Sequence, residues 1–226
     1  HHRPPARGAL PMMPGKRDCP LCDGRGGWID YQADKSILCP LCWPRASEAA
    51  AFEHVSLPGW VTSRWPHREA KWYGPWMPVL PWLLVIHSGA TGRRIASYFE
   101  DPRNANGSPR KVSAHLSWEG DHYEQTVALN RVAWHCGGSR LKLDGLIHRK
   151  LNFSSIAVET SGPVDHETTP EERLHTREAL VYLLELVPSI RVAVPHSFID
   201  SKKRDPGAGF DWSVFDGLGL DLPHFG

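Results

Sequence analysis

The sequence predicts an α/β domain, a mixed central sheet flanked by helices, preceded by a small four-cysteine module. Three observations carry this. Apolar runs of strand length end at a histidine or an acidic and polar pair within 82–89, 154–160 and 191–196. Segments with helical periodicity follow the first run and separate the other two. Four of the five cysteines fall in two Cys-x2-Cys pairs ahead of all of these.

The bulk properties bound the answer. With 226 residues, the chain holds one full domain and a small satellite, at roughly 100–200 residues per domain. Lys and Arg total 26 against 25 Asp and Glu, a net charge of +1, so nothing favours nucleic acid or an anionic membrane. No apolar run approaches the roughly 20 residues that span a bilayer. The start, HHRPPARGALPMMPGKR, is polar and Pro-rich, unlike a signal peptide. We read 1–15 as disordered, with His1 and His2 as a purification-tag remnant.

The cysteines come next. CPLC (Cys19, Cys22) and CPLC (Cys39, Cys42) lie sixteen residues apart. Each pair offers two thiolates from one tight turn, and two pairs complete a tetrahedral site for a structural zinc. Trp28, Ile29 and Tyr31, a polar turn and Ser36–Leu38 predict a short hairpin between the knuckles. Residues 16–45 are therefore expected to be a zinc-ribbon-like module that depends on its metal. Disulfides or a redox pair are the alternatives, and no secretion signal supports the first. Cys136 reads as a buried small hydrophobe.

Residues 46–78 read as a connector, with a short helix at 46–54. Five tryptophans (Trp60, Trp65, Trp72, Trp76, Trp82) crowd residues 60–82. Pro and Gly break the segment too often for it to be a strand of the main sheet. Its tryptophans either pack onto the main domain or form a platform that stacks on sugar rings or a partner.

The main domain is expected over 79–226. WLLVIHSG is a buried strand, GATGRRIASYFED a short helix with Ile95, Tyr98 and Phe99 at helical spacing, and VSAHLSW and HYEQTVAL two strands joined at Glu119–Asp121. SSIAVET is another buried strand. Thr169, Pro170 and Glu172 supply an N-cap, a first-turn proline and a capping-box glutamate. The helix that follows is expected to bury Leu174, Leu180, Val181, Leu184 and Val187. RVAVPH is a final inner strand. The expected order is β-α-β-β-β-α-β-α.

His87 and His196 thus stand at strand ends, where open sheets present ligands. With Asp205, in the loop after the second, they make a three-ligand set with an open fourth position, as in a catalytic zinc site. The loop PHSFIDSKKRDPG could instead be a solvated turn, since Asp-Pro-Gly is a turn signal.

VIHSG, VSAHLSWEGDHYEQTVALNRVAWHCGGS, LNFSSIAVET and VPHSFIDSKKRDPGAGFDW resemble, in order, the motifs of the zinc-dependent N-acetylmuramoyl-L-alanine amidases. These include phage amidase endolysins, cytoplasmic recycling amidases and peptidoglycan recognition proteins. The resemblance spans about residues 82–215 and leaves residues 1–60 unexplained. It implies His87, His196 and Asp205 as zinc ligands, Lys203 as a catalytic lysine and Glu159 as the general base. It also implies Trp134 and His135 near the substrate cleft, with Arg140 a weaker substrate contact. Ala114 stands where some members carry a catalytic tyrosine, and SAH (Ser113–His115) looks like the recycling subclass, which relies on the glutamate.

The implied reaction is zinc-dependent hydrolysis of the amide between N-acetylmuramic acid and L-alanine. An endolysin, made in the bacterial cytoplasm and acting on the wall after release, is preferred because a recycling enzyme needs no added zinc module. The alternatives are a recycling amidase, a non-catalytic peptidoglycan binder, and a polymerase-binding regulator. The expected partner is peptidoglycan or a muropeptide, with no nucleic acid and no membrane, and the chain is expected to be a monomer.

Overall fold

The computed structural model describes residues 27–30, 35–38, 61, 65–77, 79–89, 94–143 and 145–223. The chain divides into two compact units, His1–Val55 and Ser56–Gly226.

In the first unit, β1 (Gly27–Asp30) pairs antiparallel with β2 (Lys35–Leu38), Gly27 opposite Leu38. This is the expected hairpin. Cys19, Cys22, Cys39 and Cys42, and the helix expected at 46–54, lie outside the described residues.

The second unit is built on a five-stranded sheet. Its strands are β3 (Leu83–Ser88), β4 (Leu116–Trp118), β5 (Tyr123–Gln125), β8 (Ser155–Thr160) and β9 (Val192–Pro195), in the order β5-β4-β8-β3-β9. β3 runs parallel to both β8 and β9, β4 runs parallel to β8, and only β5 is antiparallel. The mixed sheet is as predicted. Leu83, Leu84, Val85 and Ile86 are all fully buried, because parallel strands covered on both faces need a continuous apolar run.

One face carries Leu84, Ile86, Ile156 and Val158 against α1 (Ile95–Glu100) and α2 (Pro170–Leu186). The capping box at Thr169 forms: the Thr169 side chain accepts from Glu172 N, and Glu172 Oε2 accepts from Thr169 N at 2.8 Å. The buried side of α2 differs from the expected stripe. Thr176, Ala179, Leu180 and Leu183 are buried and Val187 follows them, whereas Leu174 is 56% exposed and Val181 and Leu184 are half-buried. At 3.6 residues per turn, Leu174 and Val181 share a row beside the core-facing one.

The other face carries Leu83, Val85, Val192 and Val194. Its cover includes a hairpin that the sequence reading missed, β6 (Arg140–Leu143) and β7 (Leu146–Arg149). The signal was Asp144-Gly145 between alternating polar and apolar residues, and Gly145 has φ +76°. β6 neighbours α3 (His196–Ile199), the short helix after β9.

Two further expectations are corrected. β9 is the edge strand, although its four residues are buried: Ala193 N donates to Asp221 O at 3.1 Å, so the C-terminal segment covers that edge. The connector also joins the sheet. Arg68 N donates to Gln125 O at 3.0 Å, Gln125 N to Pro66 O at 2.9 Å, and Ala70 N to Thr126 O at 2.8 Å. A proline is tolerated there because its carbonyl, not its missing N–H, faces β5. Among the described residues, no helix is long and apolar enough to cross a membrane.

Candidate metal centre and its surroundings

The sheet brings the expected residues to one edge. Strands β3, β8 and β9 are parallel, so their carboxyl ends coincide. His87 lies near the end of β3, Glu159 beside it on β8, and His196 immediately after β9. Ser197 N donates to Asp205 O at 2.9 Å, which folds the following loop back toward its start.

The loop delivers Asp205 to both histidines. His87 Nδ1 is 3.0 Å from His196 Nδ1 and 3.2 Å from Asp205 Oδ2, and His196 Nδ1 is 3.1 Å from the same oxygen. Two imidazole nitrogens and a carboxylate oxygen at the corners of so small a triangle suit one cation. Ligands about 2.0 Å from a tetrahedral zinc stand roughly 3.3 Å apart. The donor set is hard to borderline, two nitrogens and one oxygen, and both histidines are buried.

The electrostatics agree. Burial pushes His87 down to about 4, against the opposing pull of the Asp205 hydrogen bond, so its imidazole is neutral at pH 7 and has a lone pair to give. Burial alone would raise the Asp205 carboxyl, but its hydrogen bonds to His196 and His87 hold it well below the usual range. Glu159 goes the other way. Burial, then repulsion from Asp205, lifts its carboxyl to about 8, with Lys203 opposing.

Behind His87 stands a second layer that the sequence did not reveal. His87 Nε2 is 3.0 Å from His135 Nδ1, and His135 Nε2 is 3.0 Å from Ser155 Oγ, which donates to Leu151 O at 2.6 Å. Asn152 Oδ1 accepts from the backbone N of His135 and of Cys136 at 3.1 and 2.8 Å. Burial, reinforced by repulsion from His87, His115 and His196, pushes His135 well below its ordinary value. By contrast, His196 Nε2 is buried without a hydrogen-bond partner among the described residues.

The other predicted residues sit as follows. Lys203 is exposed in the loop, near enough for its charge to lower both His87 and Glu159. Trp134 is half-buried, its ring edge-on to Phe153 at 5.7 Å and against Gly74, where a Cβ would meet it at 2.9 Å. Arg140 is exposed on β6. The structure thus brings together His87, His196, Asp205, Glu159 and His135, and it draws neither Trp134 nor Arg140 into their hydrogen-bonded cluster. His115 is structural: its Nδ1 accepts from Ala157 N at 3.0 Å and its Nε2 donates to Arg131 O at 2.9 Å. Ala114 is fully buried.

The connector is divided. Trp65 is buried, edge-on to Tyr182 at 4.9 Å, while Trp72 and Trp76 are exposed, and the Arg131 guanidinium lies 3.7 Å over the Trp76 ring.

Comparison with known proteins gives three results. The family model described as N-acetylmuramoyl-L-alanine amidase matches residues 76–208. No curated protein matches the chain by sequence. Among solved structures, a selenomethionine derivative of AmpD aligns at 25% identity and a TM-score of 0.59, over 73% of this chain and 98% of that one. The amidase LysC from Clostridium intestinale URNW shares the fold at 14% identity and a TM-score of 0.50, over 67% and 94%. The amidase AmiD from E. coli aligns at 21% identity and a TM-score of 0.48, over 68% of this chain and 61% of that one.

Proposed function

Since the chain belongs to the N-acetylmuramoyl-L-alanine amidase family, we propose that it hydrolyses the muramoyl–alanine amide at a zinc held by His87, His196 and Asp205. The observation that carries this reading is the 3.0–3.2 Å triangle of Nδ1, Nδ1 and Oδ2 at the carboxyl edge of the sheet. When bound, the zinc supplies a water acidified to near-neutral pH and a positive charge for the carbonyl oxygen.

The chain's own groups do the rest. Glu159 lies beside His87, and its carboxyl, lifted to about 8 by burial, would be drawn back toward neutral by a bound cation, which suits it to take a proton and return it to the leaving amine. The Lys203 ammonium offers charge for the developing oxyanion, an effect worth about 10²–10³ in rate per donor. The buried Ala114 leaves no hydroxyl at the position where some relatives carry a tyrosine, so the glutamate is the proton carrier. Trp134, His135 and Arg140 were expected near the substrate. His135 instead backs His87, which leaves Arg140, exposed on β6, as the more accessible substrate contact.

A second metal, held by Cys19, Cys22, Cys39 and Cys42, is proposed for the first unit. The antiparallel pairing of β1 and β2 supports it, since that hairpin lies between the two cysteine pairs. This added unit favours an endolysin acting on polymeric wall. The Ser113–His115 segment, which resembles the recycling subclass, favours a second reading, action on a soluble muropeptide. Mass spectrometry of digested sacculi is the test. Stem peptides released with an L-alanine amino terminus and intact glycan strands are expected. Turnover of soluble anhydro-muropeptide alone would select the second reading, and turnover of neither would refute the activity.

A further inference from the structure

We propose that His135 is a positioning residue that fixes the tautomer of His87, through a directed chain of hydrogen bonds ending on the Leu151 carbonyl. The inference rests on the reading of His87 as a zinc ligand.

The direction follows from what each atom can do. Leu151 O is only an acceptor, so the Ser155 hydroxyl, 2.6 Å away, must donate to it. The proton of Ser155 is thereby committed, and its oxygen accepts from the ring nitrogen 3.0 Å on its other side, His135 Nε2. A neutral imidazole carries one proton. With that proton on Nε2, His135 Nδ1 is an acceptor, and it faces His87 Nε2 at 3.0 Å. Asp205 Oδ2, 3.2 Å from Nδ1, is a rival acceptor, and a cation in the triangle would remove it, so the metal-binding form of His87 carries its proton on Nε2. That leaves Nδ1, the atom facing His196 and Asp205, with a free lone pair. A backbone carbonyl thus sets which nitrogen of a ligand three links away is bare.

The fold holds this chain rigid. Ser155 lies on β8 opposite Leu83, four residue pairs before the Glu159–His87 pair, so Ser155 and His87 project from the same face. His135 bridges them, and Asn152 pins the two backbone amides at His135 and Cys136. All four polar side chains are buried. The Cys136 thiol, 3.0 Å from the same Nδ1, is a weak donor and does not reverse the order. His196 has no such support, since its Nε2 is unpartnered among the described residues.

The test compares zinc affinity, by competition with a chromophoric chelator, in the full chain and in His135→Ala, His135→Asn and Ser155→Ala. Each is referenced to His87→Ala, which removes the site and leaves any zinc bound elsewhere. Loss of such an outer partner typically weakens metal binding about 10–100-fold, and His135→Ala should do so. His135→Asn should restore most of it, because its Oδ1 accepts near where Nδ1 stood. Ser155→Ala should give a partial loss. Long-range ¹H–¹⁵N correlation spectra of the zinc-loaded chain should place the protons of both His87 and His135 on Nε2. Unfolding midpoints of zinc-free His135→Ala and His135→Asn, if equal, exclude a packing effect. Zinc binding by His135→Ala within about twofold of the full chain, no rescue by Asn, or a His135 proton on Nδ1 in the zinc-loaded chain would each overturn the proposal. If His135→Ala does not fold, Ser155→Ala and the spectra still decide it. Unchanged zinc binding in His87→Ala would instead remove the metal-site reading on which the proposal stands.

Discussion

His87 and Glu159 are paired in register across β3 and β8, so their side chains leave the sheet on the same face at its carboxyl edge. A proposed metal ligand and a proposed proton carrier therefore sit on adjacent strands, and neither depends on a loop for its place. Rigid backbone of this kind positions reacting groups better than a loop can.

Glu159→Gln should lower turnover of a soluble muropeptide by about 10²-fold or more. Its zinc content should be unchanged, since Glu159 is outside the ligand triangle. Lys203→Ala should cost about 10²–10³-fold, again with zinc retained. Steady-state kinetics with elemental analysis checks both, and near-native activity in Glu159→Gln would place the proton carrier elsewhere.

The raised Glu159 carboxyl also predicts a pH signature in the zinc-free protein. The ordinary value is 4.5 and the folded one about 8, so folding favours the protonated form. The resulting destabilisation is absent below about pH 4.5, grows from there, and is complete above about pH 8. Glu159→Gln removes the ionising group. Its unfolding midpoint should match that of the parent near pH 4 and exceed it increasingly up to pH 8. Bound zinc, a nearby positive charge, should shrink the difference. Thermal scans across this range decide it, and a pH-independent gap would show that Glu159 is not held in a low-dielectric environment.

Much of this site was legible because of where strands end. His87 and His196 close apolar runs, and parallel neighbours must align those ends. Asp205 was legible as the carboxylate of a turn that folds back on His196. The His135–Ser155–Leu151 chain was not, since it joins residues of three segments that meet only when β8 lies beside β3. Leu174 misled because an apolar residue in an amphipathic helix was counted without its angle. The β6–β7 hairpin, which covers the face that carries the site, has its signal in Asp144-Gly145 between alternating residues.

Metal removal separates the two proposed zincs. Elemental analysis should give about two zinc ions per chain, from one tetrathiolate and one three-ligand set. The double variant Cys19→Ser, Cys39→Ser should retain one zinc and its activity on a soluble muropeptide. His196→Ala or Asp205→Ala should keep the other and lose activity. One zinc in the parent, unchanged by the cysteine substitutions, would refute the ribbon.

The last prediction concerns where the catalytic unit begins. Trp65 is 4% exposed and packs on Tyr182, and Ala70 is fully buried. Around them, Arg68 pairs with Glu124 at 2.8 Å, Gly74 N donates to Val132 O at 2.7 Å, and Met77 N donates to Asn130 O at 2.8 Å. A fragment starting at residue 78 loses all of these and bares the edge of β5. Removing a buried tryptophan alone costs about 3–5 kcal/mol, against a total of about 5–15 for a domain. That fragment should therefore unfold well below the temperature of a Ser56–Gly226 fragment, which keeps the connector. The longer fragment should match the full chain on a soluble muropeptide, because every residue proposed for the chemistry lies beyond residue 86. On whole sacculi the two should diverge if the first unit binds wall polymer, since a tethered second contact raises avidity by about 10²–10⁴. Parallel assays on both substrates read this directly. Equal rates on sacculi would rule out a targeting role for the first unit, and a stable, active fragment from residue 78 would show that the Trp65 contacts are dispensable.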